Sequence, residues 1–169
     1  KQLQRLEADL NLSIHKVRGR GYQLAMPLEL LEHEQLAESP YPAFIHESLD
    51  STNAEALRQI AGGVPAPFVV LAEQQSAGRG RRGRKWISPF AENIYYSLVL
   101  RIDGGMRQLE GLSLIVGLAV LSSLREFSRC DAGLKWPNDV LAGNKKIAGI
   151  LLELVGDPAD VCHVVIGIG

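Results

Sequence analysis

Cysteine is scarce in this chain of 169 residues: there are two, Cys130 and Cys162, and neither lies in a C-x-x-C pair. That leaves a disulfide framework or a thiolate zinc site without support, so two idle thiols and no redox chemistry are expected. Long apolar runs are lacking as well. Even residues 112–124 are broken by serines and a glycine and fall short of the ~18 residues a membrane span needs. No basic start followed by a cleavage site reads as a secretory leader, which makes the cytoplasm the expected address. What is present is an ordinary globular composition, 46% hydrophobic, sufficient for one main domain with a core of respectable size. The sequence runs from Lys1 into "VVIGIG", which should be a strand, and so reads as a segment of a longer protein.

A net charge of −1 hides an asymmetry. Up to residue 25, Lys1, Arg5, Lys16, Arg18 and Arg20 outweigh Glu7 and Asp9; from 26 to 60, Glu29, Glu32, Glu34, Glu38, Glu47, Asp50 and Glu55 face Arg58 alone. Pro27, Pro40 and Pro42 punctuate the passage, so a boundary is expected near Met26, dividing the chain into 1–26 and 27–169. In the first part Leu3, Leu6 and Leu10 form one helical stripe, and "SIHKVRGRGYQL" alternates about a turn at Gly19 and Gly21. A helix followed by a basic hairpin is predicted, and it resembles the last helix and wing of a winged helix-turn-helix domain with the earlier helices absent. It serves either as an extension packed on the main domain or as a nucleic-acid contact, a weak one because so few cations neutralise few phosphates.

In the second part "FIHESLDSTNAEALRQIAGG" predicts a short strand, a polar cap over residues 50–52, an amphipathic helix carrying Ala54, Leu57 and Ile60, and a stop at Gly62 and Gly63. "PFVVLAEQ" and "NIYYSLVLRI" read as strands. "RQLEGLSLIVGLAVLSSLREF" reads as a long helix, apolar almost all the way round and therefore expected at the centre of the core. "GLKWPNDVLAGNKKIAGILLELV" reads as two strands joined at Gly143 and Asn144, with "ADVCHVVIGIG" following a turn at Asp157 and Pro158. Hairpin strands beside helices predict an α/β domain of the α+β type with a mixed, largely antiparallel sheet, not repeated βαβ units.

One loop stands out. "GRGRRG", residues 78–83, matches the glycine pattern of dinucleotide-binding folds, with arginine at every intervening position. A strand precedes it and Asp103 ends the next strand, but "RKWISPFAEN" contains Pro89 and is too short for the crossover helix, since a βαβ connection takes ~10–12 residues at minimum. The dinucleotide reading fails there. Arg79, Arg81, Arg82, Arg84 and Lys85 repel one another when nothing neutralises them. Either this is a solvated basic surface, or the glycines let the backbone close on a ligand whose carboxylate or phosphate oxygens meet the forked arginines. The second reading predicts a loop that orders around an anionic small molecule.

"GRGRRGRKW" with "DSTN" before it and "KWPND" and "KKIAGILLE" after it resembles the biotin protein ligases, in particular the bacterial two-function kind that also represses the biotin operon. The resemblance covers the chain from about Phe44 to Gly169 and implies the class II synthetase-like catalytic domain of biotin and lipoate ligases. It implies that biotin's carboxylate attacks the α-phosphate of ATP to give biotinyl-5'-AMP, which a lysine of a biotin carboxyl carrier protein then attacks. Such chemistry requires no enzyme nucleophile. It requires cations at the phosphate, Mg²⁺ on the triphosphate and exclusion of water from a hydrolysable anhydride.

By position, the resemblance assigns Ser51, Thr52, Asn53, Gln75, Gly78 and Arg79 to biotin, with Gly149 and Gly167 beside them; the first three serve equally as a plain helix cap. Arg81 and Lys146 are implied to meet the biotin carboxylate and then the adenylate phosphate, as electrostatic catalysts. Lys146 also precedes an apolar strand, where a charge needs an anion. Trp86, Lys135, Asn138 and Asp139 are assigned to ATP, Trp86 by stacking on adenine; otherwise "KWPND" is an ordinary turn. Asp139 is implied to reach Mg²⁺ through water and is a candidate base for the transfer step. The family pattern continues past "GIG" with an asparagine and a small β-barrel, so part of the nucleotide site is expected to lie outside this stretch. The resemblance further implies operator DNA as a partner of a complete N-terminal domain and a homodimer of the intact protein when adenylate-bound. A DNA-binding repressor module without activity and a lipoate-type ligase or acyltransferase are the two other readings.

Overall fold

The computed structural model describes residues 2–103, 109, 111–128, 130–157 and 160–169. The chain begins with helix α1 (Gln2–Leu10) and an antiparallel hairpin, β1 (Ile14–Val17) and β2 (Gly21–Leu24), whose register pairs Ile14 with Leu24 and Val17 with Gly21. The predicted helix and hairpin are both present. No residue of α1 is buried and every residue of β2 is exposed. A connecting stretch with a single 3-10 turn at Glu34–Leu36 then leads to the main sheet. The stretch is anchored on Glu73, a buried carboxylate that accepts the backbone N–H of Leu31 at 2.5 Å, and at Pro42, whose carbonyl accepts the N–H of buried Val69 at 2.9 Å.

Strand β3 (Ala43–Leu49) runs parallel to β4 (Phe68–Gln75) through helix α2 (Thr52–Ala61), a single βαβ unit. The remaining strands are β5 (Tyr95–Asp103), β6 (Ala132–Lys135), β7 (Asp139–Ala142), β8 (Lys145–Gly156) and β9 (Val161–Ile168). The seven strands lie in the order β3-β4-β5-β9-β8-β7-β6, antiparallel at every step but the first. The sheet is thus mixed and largely antiparallel, as the sequence predicts. β4 lies between β3 and β5 and is buried from Phe68 through Glu73, which is why "FVVLA" reads as one apolar run rather than an alternation.

Two apolar clusters hold helices to this sheet. On α2, Ala56 with Leu57 and Ile60 packs against Phe68, Val70, Val99 and Val165, and Phe44 meets Phe68 edge to face at 5.8 Å. Each fully buried side chain of this kind stabilises the fold by ~1.5–3 kcal/mol. Helix α3 (Leu112–Ser128) covers β6, β7 and β8, with Leu121, Val120 and Leu124 against Ala132, Val140 and Ala148. Gly117 sits so close to the sheet that a methyl there would lie 3.0 Å from a Leu134 methyl.

Three sequence expectations are corrected. α3 does not lie at the centre of the core: it presses one stripe onto the edge half of the sheet, and Ile115, Leu118 and Phe127 on its other side are 62%, 54% and 83% exposed. All-round apolarity tells how much of a helix could be buried, not how many neighbours it has. Part of that predicted helix, at 107–110, falls outside the described residues except for Leu109. "GLKWPNDVLAGNKKIAGILLELV" is three strands, because residues 136–138 turn between β6 and β7 before the expected turn at Gly143 and Asn144. The Ser51 side chain makes no capping bond at the start of α2. The turn expected at Asp157 and Pro158 lies partly outside the described residues. Cys162 is buried and Cys130 partly so, both as free thiols.

Candidate functional site

A cavity of about 500 Å³ opens where the β3–α2 junction, the end of β4, the arginine loop, the β6–β7 turn, the start of β8 and the end of β9 converge. Its walls include Ser51, Thr52, Asn53, Gln75, Arg79, Arg81, Trp86, Lys135, Asn138, Asp139, Lys146, Gly149 and Gly167. Of the residues singled out from sequence, Gly78 alone is set back from the wall. A methyl on it would lie 2.6 Å from the Trp86 carbonyl and 2.8 Å from Ser88 Oγ, so this glycine lets the two legs of the loop approach.

One end of the cavity is neutral and buried. Ser51, Thr52 and Asn53 are 3–4% exposed. The first amide of α2 is satisfied from across the sheet: Thr52 N–H donates to Gln75 Oε1 at 2.8 Å, and Gln75 Nε2 donates to Ser88 Oγ at 2.8 Å. Fully buried Ser97 donates to Asn53 Oδ1 at 2.6 Å, and Asn53 Nδ2 donates to Glu153 Oε2 at 2.7 Å. The amide of Asn53 is therefore fixed at both ends. Asp50, next to this junction, accepts Ser51 N–H and both terminal nitrogens of Arg58. The Arg58 guanidinium holds its carboxyl down at about 2, and a hydrogen bond from Arg58 also lowers Glu55, against its burial.

The other end is cationic. The loop closes on itself as a short hairpin, with Arg79 paired to Lys85, Gly80 N–H donating to Arg84 O at 2.7 Å and Trp86 N–H to Gly78 O at 2.8 Å. A 3-10 turn at Arg81–Gly83 forms its tip, where Arg82 takes φ 59°. No helix follows the glycines, which agrees with the failure of the dinucleotide reading. Arg81 reaches across to donate to Asn138 Oδ1 at 2.6 Å, and Lys146 Nζ pairs with Asp139 Oδ1 at 2.8 Å while lying 4.8 Å from the Trp86 ring centroid. Asn138, the last residue of the turn, and Asp139, the first of β7, thus hold Arg81 and Lys146. Asn138 is itself locked, its Nδ2 donating to Ile150 O and its carbonyl accepting Ile150 N–H. Arg82, Arg84 and Lys85 make none of the ion pairs found among the described residues.

A local irregularity aims Lys146. Val140 pairs with Ala148, yet Leu141 pairs with Lys146, so Ile147 is an extra residue on β8. Such a bulge resets which face the following side chains take. Sequence reasoning missed this, and it missed Ser97, Ser88, Trp136 and Glu153. Two of these left a signal: Ser97 interrupts the inward row of Tyr95 and Val99, and Glu153 is a lone charge in "ILLELV". Each is a polar group at an apolar position, which needs a partner.

The profile of the Biotin/lipoate A/B protein ligase family matches residues 45–169. The chain belongs to that family. Among curated members, it is 39% identical over 163 residues to the bifunctional ligase/repressor BirA of Escherichia coli, covering 95% of this chain and 50% of that protein. It is 48% identical over 122 residues to the biotin–(acetyl-CoA-carboxylase) ligase of Paracoccus denitrificans, covering 71% of this chain and 50% of that one. Among solved structures, biotin protein ligase from Leishmania major in complex with biotin aligns with TM-score 0.65 at 30% identity, over 77% of this chain and 57% of that one. The Aquifex aeolicus biotin protein ligase in complex with biotin and ATP aligns with TM-score 0.61 at 34% identity, over 76% and 52%. The chain thus spans about half the length of the curated relatives it matches. The fold of a biotin/lipoate ligase catalytic domain, expected from sequence, is the fold observed.

Proposed function

We propose that the protein is a biotin protein ligase, activating biotin with ATP to biotinyl-5'-AMP and passing biotin to a lysine of a biotin carboxyl carrier protein. The observation that carries this reading is the change of character along one cavity. Ser51, Thr52, Asn53 and Gln75 offer neutral donors and acceptors at one end, suited to a ureido ring; Arg81 and Lys146 offer cations at the other, suited to a carboxylate and a phosphate. The relatives' names and their complexes with biotin and ATP point the same way.

In this reading a biotin carboxylate oxygen attacks the α-phosphorus and the bond to pyrophosphate breaks. Two anions must meet for that. Lys146 and Arg81 oppose their repulsion and stabilise charge developing on the phosphate, without moving far, because Asp139 and Asn138 already hold them. The acceptor amine then attacks the acyl carbon, AMP leaves, and the amine proton passes to a base at the end of the cavity where Asp139 is the carboxylate. The loop over residues 78–85 shields the anhydride from water. Trp86 and Lys135 line the space assigned to the nucleotide.

No group of three or more metal-ligating side chains occurs among the described residues. The Asn138 amide oxygen holds Arg81 and one Asp139 oxygen holds Lys146, so the second oxygen of Asp139 would reach Mg²⁺ through water, as suits an ion that keeps most of its waters and takes further ligands from phosphates. When bound, it masks triphosphate charge.

Residues 1–26 we take as the last helix and wing of a DNA-binding domain, and 27–169 as catalytic domain; the exposed basic hairpin and the repressor names of relatives support this. Operator DNA, a homodimer of the adenylate-bound protein and a cytoplasmic location belong to the same proposal. Calorimetric titration of the full-length protein with biotin, lipoate and duplex DNA separates the readings. Saturable heat with biotin and none with lipoate is expected; binding of lipoate alone, or of DNA alone, would overturn the assignment.

A further inference from the structure

We infer that Glu153, on β8, is a positioning residue of the biotin site: one of its carboxylate oxygens fixes the Asn53 amide and latches the arginine loop at once. This rests on the biotin reading above for its consequence, but the latch itself is geometry. Oε2 of Glu153 accepts Asn53 Nδ2 at 2.7 Å and Arg79 NH2 at 3.2 Å, from residues 100 and 74 positions away in sequence.

An ionised carboxylate can only accept. It therefore forces Asn53 to turn its NH₂ toward β8 and its oxygen toward the Ser97 hydroxyl. With the amide reversed, two acceptors would face each other across 2.7 Å and the Asn53 NH₂ would meet Ser97 instead. Since Asn53 lines the cavity, its orientation decides whether a hydrogen bond donor or an acceptor is offered to a ring whose N–H and C=O groups are not interchangeable.

The second bond reaches the other end of the site. Arg79 opens the loop and pairs in a bridge with Lys85 at its far leg, so holding Arg79 holds both legs. Glu153 is only 25% exposed and Arg79 45%, and a charge-assisted bond in that setting outweighs a fully solvated one. Because both partners share one oxygen, displacement of the loop loosens Asn53, and a ligand that secures Asn53 tightens the loop. Glu153 joins recognition of the ring to closure over the anion.

The test uses the full-length protein and four forms: wild type, E153Q, E153A and R79A. Glutamine keeps an acceptor oxygen for Asn53 and removes the charge that Arg79 needs, so the two roles separate. In E153Q, biotin affinity by calorimetry should fall about three- to tenfold, less than in E153A because the Asn53 bond survives, while unliganded amides of 78–85 exchange about tenfold faster, as in R79A. The double variant E153Q/R79A should exchange no faster than R79A alone. In E153A biotin affinity should fall ~10–100-fold, the effect of leaving a buried amide without its acceptor. Wild-type loop exchange in E153Q, or wild-type affinity in E153A, overturns the inference, which needs both bonds. If E153A fails to fold, the E153Q and R79A exchange comparison decides. If the wild type itself binds no biotin, the ligase reading fails, and the exchange measurements, which need no ligand, still judge the latch.

Discussion

Lys146 stands between a carboxylate and an indole: its Nζ is 2.8 Å from Asp139 Oδ1 and 4.8 Å from the centroid of the Trp86 ring. The partner anion that an ammonium at the head of an apolar strand requires is thus supplied by the protein. The pair is partly exposed, 37% and 25%, and an ion pair of that kind contributes at most ~1 kcal/mol to folding. Its value to a transition state is larger, because a fixed charge aimed at a developing oxyanion gives ~10²–10³ in rate. Lys146→Ala should therefore slow adenylate formation by ~10²–10³-fold, measured by pyrophosphate release, with the thermal midpoint nearly unchanged. An undiminished rate would make Lys146 a surface lysine that happens to face Asp139.

Arg81 plays a different part, since its bond to Asn138 Oδ1 spans the cavity from the loop to the β6–β7 turn. Removing it leaves Lys146 and its charge in place and unties the loop. Arg81→Gly should accordingly still make the adenylate through Lys146, more slowly than the parent, and lose it to solvent. A free activated acid acylates any exposed amine, so biotin should appear on a bystander protein incubated with the variant, ATP and biotin. No labelling above the parent, with adenylate still made, would show that Arg81 does not govern release.

The sheet's mixed character, the hairpin turn at Gly143 and the cavity's charged residues were legible because each follows a local rule: apolar and aromatic runs bounded by turn residues, cations among glycines in the loop, a charge beside an apolar strand. What was not legible depends on distance in space. Ser97 and Glu153 act through partners 44 and 100 residues away, and no window of sequence contains both ends. The extra residue at Ile147 is invisible in "KKIAGI", since a bulge is a property of two strands and only one of them is there to be read. The misplacement of α3 has the same origin: its composition permits burial on all sides, and the strands on only one side supply it.

Acid should loosen the neutral end of the site. Asp50 is held at about 2 by Arg58, below the ordinary aspartate range. A carboxyl lowered on folding stabilises the fold at pH values above its unfolded pKa, and that contribution is lost as the pH falls through the folded value. The window is from about 4 down to about 2. Asp50 also carries the first turn before α2, through Ser51 N–H, and its own carbonyl accepts Ala77 N–H at 2.8 Å beside the loop. Thermal midpoints of the parent should therefore decline across this window, and Asp50→Asn should lower the midpoint at neutral pH while flattening the decline. Its partly solvated pair with Arg58 keeps the effect small. A variant as acid-sensitive as the parent would remove Asp50 from the cause.

Gly167 tests whether Asn53 touches the ligand. It lies opposite Ser97 in the β5–β9 ladder, and a methyl group there would overlap the Asn53 side chain, coming within 2.9 Å of Cγ and 3.0 Å of Nδ2. Asn53 is 3% exposed and held by Ser97 and Glu153, so it has no free rotation with which to yield. Gly167→Ala adds little backbone strain in an extended strand, and its effect comes from this crowding, ~1–3 kcal/mol of stability as for other overpacked sites. Biotin affinity should fall with it, by on the order of 10²-fold, because the displaced amide no longer faces the cavity as Ser97 and Glu153 set it. Adding Asn53→Ala to Gly167→Ala makes room for the methyl. The double variant should regain thermal stability without regaining affinity, which separates loss of the amide from damage to the sheet. Wild-type biotin affinity in Gly167→Ala would mean that the Asn53 amide is a structural strut and leaves the ring to Ser51, Thr52 and Gln75.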